Sequence, residues 1–243
     1  MILARIPYKR INDFIDYIIS ENIYIELTFE YDDDFNINKL CGIAEQIKTV
    51  HLPFFDINLG SKNRTIAQKS LDILEKFCYQ INDLNISNAV LHHNYSPYHY
   101  AFMEDEFVKR FVEMLSILIE KTKPNYRICL ENVFEDTPSV IYKILISMNS
   151  TKIGVCFDFG HFNLFSKVDL EFWLSLLKDK IYEYHVHNNF GIRDEHNSLD
   201  KGTFDYKKAF DILIPEIIVV ENNNIDDFKT SVKIIEKVIG GIK

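Results

Sequence analysis

The chain has little that would draw it to a polyanion. Lys and Arg together number 27 against 36 Asp and Glu, a formal net charge of −9. A chain of that sign lacks the global field that gathers nucleic acid, and any binding would need a local patch. Its four cysteines, Cys41, Cys78, Cys129 and Cys156, show no CxxC spacing. Cys129 and Cys156 lie inside apolar runs, where a buried free thiol is expected, and this suits a reducing cytoplasm. No apolar stretch approaches the roughly 20 residues that cross a bilayer. The opening "MILARIPYKR" lacks the charged-then-apolar order of a secretory signal. There is no Pro/Gly/Ser linker, no low-complexity tract and no short repeat, so a single domain over 1–243 is expected.

What the chain does have is hydrophobic content of 47% over 243 residues, enough for one large core. Short β-branched runs alternate with segments of helical period. Strands are expected at 2–6, 23–27, 49–52, 88–92, 126–131, 153–158, 181–186 and 216–221. Between them, Ile11, Phe14, Ile15 and Ile18 share one helical face. Ala67, Leu71, Leu74, Cys78 and Ile81 share another, and Phe107, Phe111, Met114, Leu115 and Leu118 a third. In "EDTPSV", Thr137 reads as an N-cap with Pro138 at the first helical position. Eight strands alternating with helices favour an α/β fold of one (β/α)8 TIM barrel, with an open doubly wound sheet as the competitor.

In such a barrel, chemistry gathers where the strands end. Here metal-competent side chains end six strands in succession. His51 closes the third, His92 the fourth and Glu131 the fifth. Asp158 closes the sixth, with His161 just after it. His185 lies late in the seventh, Asp194 and His196 follow in its loop, and Glu221 ends the eighth. One such histidine is ordinarily a hydrogen-bonded structural residue, and one such glutamate an ordinary ion-pair partner. Recurrence on six strands is what separates this pattern from accident. Carboxylates crowded together disfavour joint ionisation, and divalent cations relieve that cost. Histidine mixed with carboxylate suits zinc or manganese. "DFGH" shares three letters with a kinase magnesium motif, but no glycine-rich loop or HRD accompanies it.

The segments "HLPFFDINLGS", "LENVFE", "GVCFDFGHFN", "HVHNNFGIRDEHNSLDKG" and "VVENN" together resemble the xylose isomerase-like TIM barrels, from about residue 50 to 224. That superfamily holds sugar isomerases and epimerases and the endonuclease IV nucleases. The nuclease pattern implies a cluster of three zinc ions held by His51, His92, Glu131, Asp158, His161, His185, Asp194, His196 and Glu221. The epimerase pattern implies one metal on Glu131, Asp158, His185 and Glu221, the two glutamates also serving as an acid/base pair. His187, on the same side of the strand as His185, is then a substrate contact or a partner of a ligand. Glu26, in "YIEL", resembles a glutamate of the sugar-isomerase branch and is a second candidate substrate contact. Phe54 reads as loop packing, with stacking on a sugar or base as the alternative.

Departures from the nuclease pattern guide the choice. The segment after the second strand, "EYDDDFN", places three aspartates in a row, which would repel a phosphate backbone. The loop after Glu131 is short and not glycine-rich. "LDKG" replaces the usual "LGEG", and Asn188 stands where Asp is common. The resemblance therefore implies a metal-dependent sugar isomerase or epimerase with one to three divalent ions per chain. The alternative is a zinc phosphodiesterase acting on abasic duplex DNA. A non-catalytic metal-binding barrel ranks third.

Overall fold

A computed structural model describes residues 1–40 and 42–241, so Cys41 lies outside the described residues. Among the described residues, eight strands form a closed parallel barrel in chain order, with the first paired to the last. They are β1 (Ile2–Pro7), β2 (Tyr24–Thr28), β3 (Ile47–His51), β4 (Asn88–His92), β5 (Arg127–Glu131), β6 (Ile153–Asp158), β7 (Ile181–Val186) and β8 (Ile217–Val220). The expected TIM barrel is therefore present and the open sheet is not.

The connections show why. α1 (Ile15–Glu21) follows β1, after a 3-10 turn that carries Ile11. α2 (Arg64–Ile81) follows β3, its N-terminus capped by Asn63, whose side chain accepts from the Thr65 amide. α3 (Pro97–Tyr100) and α4 (Glu104–Thr122) follow β4, α5 (Ser139–Met148) follows β5, and α6 (Phe159–Phe165) and α7 (Leu170–Leu177) follow β6. α8 (Tyr206–Ile212) and α9 (Ile225–Gly241) complete the ring. The apolar stripe of α2, from Ala67 through Leu71, Leu74 and Cys78 to Ile81, is buried as its period requires. Each large apolar side chain of that kind contributes roughly 1.5–3 kcal/mol of transfer free energy. α4 buries Phe107, Phe111, Leu115 and Leu118, while Met114 is half-buried.

Two expectations shift. No α-helix lies between β2 and β3 among the described residues; short 3-10 turns at Ile37–Leu40 and Ala44–Gln46 span that side of the barrel. Phe29, Phe35, Leu40 and Ile43 bury against the core there, without a helical period to line them up. The acidic loop at 30–34 is fastened by Lys9, which pairs with Glu30 and Asp32. At α5, Pro138 is the cap and the helix begins one residue later than expected, with Thr137 Oγ1 3.5 Å from the Ser139 amide.

The large apolar core lies between strands and helices. Inside the barrel the composition changes. Val90, Cys129 and Cys156 form a small separate cluster, as do Leu3, Ile217 and Val219. Alongside them on the inward-facing positions sit Glu26, Thr49, Asn88 and Glu183, all fully buried. A barrel interior normally stacks bulky branched residues, so this polar layer is a departure. Among the described residues no helix is long and apolar enough to cross a membrane.

Candidate metal centre

The strand-end residues meet at one mouth. A cavity of about 940 Å³ opens there, lined by His51, His92, Glu131, His161, Asp194, His196 and Glu221. Asp158 and His185 lie behind these, fully buried. Phe54, Tyr100, Phe134 and Phe165 form aromatic walls above them. The cations on the cavity wall are Arg5, 3.8 Å from Glu221, and Lys9, already engaged by the acidic loop.

The centre is built around Glu131. Its Oε2 stands 3.1 Å from both His51 Nε2 and His92 Nε2, and those two nitrogens are 3.2 Å apart. On its other side, Oε1 stands 3.0 Å from His161 Nδ1. Asp158 caps α6, accepting the His161 amide on Oδ1 at 2.6 Å. Asn132 holds the Asp158 backbone from both sides, donating to its carbonyl and accepting its amide. Asp194 reaches His196 Nε2 at 2.9 Å and His161 Nε2 at 3.6 Å. His196 has φ 51°, a left-handed conformation that is uncommon for a residue with a Cβ and tends to mark a built site.

Strand seven contributes two histidines at two depths. His187 Nε2 lies 3.2 Å from Asp158 Oδ2, and its ring stacks on His196 with centroids 4.0 Å apart. His185 lies lower, its Nδ1 3.3 Å from Glu131 and 3.4 Å from Glu221. Gly160 is required by this arrangement: a Cβ there would stand 1.9 Å from the His187 ring. Gly202 is needed for the same reason against Asn188, which turns the following loop back. His187, expected to touch substrate or support a ligand, thus sits among the Asp158, Asp194 and His196 side chains. Glu26, expected to touch substrate, has no exposed surface and lies beneath His185, 3.4 Å from its Nε2. Phe54 packs on the rings of His51 and His92.

The donor set suits a cation. His51 donates Nδ1–H to the Leu52 carbonyl, His161 to that of Asn132 and His196 to that of Glu221. Each anchor fixes a tautomer with the Nε2 lone pair turned inward, the usual support for a metal-bound imidazole. Those lone pairs face carboxylate oxygens. Acceptor facing acceptor is tolerable only with a positive charge between them. Without a metal that charge is a proton. Burial works against charged His161, but Asp158, Asp194 and Glu131 outweigh it and hold its pKa well above the ordinary value. Burial likewise opposes ionised Glu131, and His92, His185 and His161 overcome it, holding the carboxyl well below its usual range. Glu221 follows the same logic against burial, with Arg5, His185 and His196 as its partners. In His92 burial prevails and the pKa falls. A divalent ion would take the place of these protons.

Residues 31–238 match the family described as the xylose isomerase-like TIM barrel. The uncharacterized protein MJ1311 of Methanocaldococcus jannaschii is 26% identical over 217 residues, covering 83% of this chain and 74% of its own length. A D-tagatose 3-epimerase-like protein of known structure superposes with a TM-score of 0.82 at 22% identity, over 99% of this chain and 98% of its own. A Thermus thermophilus protein, TTHB071, whose crystal was soaked with zinc chloride, superposes at 0.83 with 20% identity over the same shares.

Proposed function

Because the chain belongs to the xylose isomerase-like TIM barrel family, we propose that it is a divalent-metal-dependent isomerase or epimerase of a sugar or sugar derivative. The observation that carries this reading is the placement of Glu131 and Glu221, two ionised carboxylates facing one cavity and bridged beneath by His185. The D-tagatose 3-epimerase-like neighbour supports it by fold.

Glu131, Asp158, His185 and Glu221 would hold the ion, with His187 as a further candidate from the same strand. Asp158, His187 and Glu221 offer ligand atoms within 4.8 Å of one another. His185, the strand-seven histidine expected from sequence to ligate there, has Nδ1 3.3 Å from Glu131 and 3.4 Å from Glu221, and His187 on the same strand is the alternative ligand. The chemistry a divalent ion would supply there is polarisation of a substrate carbonyl and stabilisation of negative charge on adjacent oxygens. Glu131 or Glu221 removes the proton on the carbon next to the carbonyl, leaving an enediolate, and the other returns it. Phe54 and Phe134 would cover the apolar face of the ring, and the walls of the cavity would limit water. The buried free thiols Cys78, Cys129 and Cys156 accord with a cytoplasmic setting.

Retention of His51, His92, His161, Asp194 and His196 favours a second reading, a phosphodiesterase with a metal cluster. The acidic loop and the two occupied cations weigh against it, since a DNA backbone would find few partners. The test is solvent-exchange NMR. Metal-loaded protein is incubated in deuterated water with a panel of free ketoses and keto-glycosides. The proposal expects deuterium to enter at the carbon next to the carbonyl for at least one sugar. Absence of exchange across the panel, together with incision of an abasic duplex, would establish the phosphodiesterase instead.

A further inference from the structure

The reacting groups occupy the floor of the cavity, and the side formed by the loops after β3 and β4 takes no part. Phe55, Asn58, Ser61, Ile66, His99 and Tyr100 line that side. The whole cavity measures about 940 Å³. That is the upper end of the roughly 300–1,000 Å³ that drug-sized ligands occupy, and one sugar ring at the ion is far smaller.

Phe55 contributes little to the fold, because its ring is 67% exposed. Phe54 packs on His51 and His92, and Phe55 extends that aromatic surface outward. The two phenyl centroids are 4.4 Å apart, with the planes tilted by 36°. The backbone that carries Phe55 is held in place against its own preference. In the turn from Phe54 to Ile57, the Ile57 amide donates to the Phe54 carbonyl at 3.2 Å. The third residue, Asp56, has φ 57°, a conformation that favours glycine at that place. Asn94 clamps the turn, its Nδ2 donating to the Phe54 carbonyl at 2.9 Å and to the Ile57 carbonyl at 2.6 Å. Strain of this kind tends to gather where a ligand binds. An aromatic ring on a rigid turn at a cavity wall offers an apolar face that needs little ordering to bind.

Charge narrows what that face receives. Among the described residues, the Lys and Arg lining the cavity are Arg5 and Lys9, on β1 and just after it. The side over β3 and β4 has neither, and its one lining carboxylate is Asp56. An anionic group finds no counter-charge there. Neutral polar groups do line it, with Asn58 Nδ2 donating to Tyr100 Oη at 2.9 Å and so tying the two loops together. A ring with an apolar face and a neutral edge matches this wall.

Resting on the isomerase or epimerase reading, we propose that the substrate is a two-ring glycoside. A keto-sugar sits at the ion and is joined through oxygen to a second, neutral ring that stacks on Phe55. Phe55 is then a specificity-determining residue, and single-ring sugars are poor substrates. Contacts to the remote ring act on the rate as well as on binding, because they hold the reacting ring in register with Glu131 and Glu221.

The test compares one-ring and two-ring sugars that share a reacting ring, on full-length zinc-loaded protein. One series is 3-keto-D-glucose as its methyl, phenyl and glucosyl glycosides. The other is D-fructose against its glucosyl disaccharide isomaltulose, which keeps the carbonyl. Solvent-deuterium exchange gives kcat/KM for each. The two-ring member is expected to exceed its one-ring partner by about 10–100-fold. Phe55→Ala should bring that ratio to within about threefold of one, and Phe55→Trp should preserve it. Phe172→Ala, which removes an exposed ring on α7 outside the cavity lining, should leave the ratio unchanged. The larger of the phenyl and glucosyl gains identifies the second ring as aryl or sugar. Calorimetric binding of phenyl β-D-glucoside, cellobiose and glucose separates this proposal from the catalytic one. Tighter two-ring binding that Phe55→Ala abolishes, with no exchange on any sugar, removes the isomerase reading and keeps the Phe55 subsite. Equal rates and affinities for one-ring and two-ring sugars, binding of neither, or a preference that survives Phe55→Ala in folded protein would overturn the proposal.

Discussion

His93→Ala separates the metal centre from the scaffold behind it. His93 follows His92 directly but points outward, away from the mouth. It is fully buried, with Nε2 3.1 Å from Glu135 Oε1 and Nδ1 accepting the Tyr95 amide at 3.1 Å. Its ring meets Phe111 of α4 edge-on, centroids 6.4 Å apart. Truncation removes two hydrogen bonds, each worth about 0.5–1.5 kcal/mol, and leaves a buried carboxyl oxygen unpaired at about 1–3 kcal/mol. Loss of the aromatic contact adds about 0.5–1.5 kcal/mol. The Val133 amide still donates to Glu135 Oε2 at 2.9 Å, which keeps that carboxylate from being wholly stranded. Together these losses come to about 2.5–7.5 kcal/mol, a fall in Tm of roughly 5–30 °C for a chain of this size. Zinc affinity of the folded variant should stay within about threefold of wild type, because His93 touches no group at the mouth. Calorimetry and chelator competition give the two numbers. A Tm within about 2 °C of wild type, or a large loss of zinc affinity without loss of stability, would refute the reasoning. A double-mutant cycle with Glu135→Gln should return a coupling of about 0.5–3 kcal/mol.

Glu131→Gln and Glu221→Gln should each lower turnover on an identified sugar by about 10²- to 10⁴-fold while the fold persists; full activity in both would remove the acid/base assignment. Chelation should lower Tm and zinc restore it; at 100 times Kd one ion adds about 2.7 kcal/mol, or roughly 5–11 °C, by scanning calorimetry. Burial pushes the Cys78 thiol up to about 12, so it stays protonated in the native state through pH 9. Iodoacetamide mapping by mass spectrometry should find Cys78 unmodified until denaturant is added, and labelling of native protein would contradict that burial. Binding to an abasic duplex should be weak and should fade as salt rises, read by fluorescence anisotropy; strong binding or incision by metal-loaded protein would favour the phosphodiesterase.

The sequence by itself determined the strands, the residues that end them, and that His185 and His187 share one side of theirs. Strand period is local, so His51, His92, Glu131, Asp158 and Glu221 could be placed at strand ends before any tertiary contact was known. The stripe from Ala67 to Ile81 was legible for the same reason. Heights around the barrel were not legible. They depend on the stagger of eight strands, and the register shifts at Ile25/Glu26 and at Val155/Cys156. Only closure of the barrel therefore decided that His187 Nε2 meets Asp158 while His185 Nδ1 meets Glu131 and Glu221. The same closure brought Glu26 and Glu183, 157 positions apart in the chain (183 less 26), to the one imidazole between them. The carbonyl anchors that set the His51, His161 and His196 tautomers also arise from backbone turns. No residue type encodes those turns. The missing helix after β2 was equally out of reach, because Phe29, Phe35, Leu40 and Ile43 find the core without a period. Local pattern fixes which way a side chain faces, and only the packed barrel fixes what it meets.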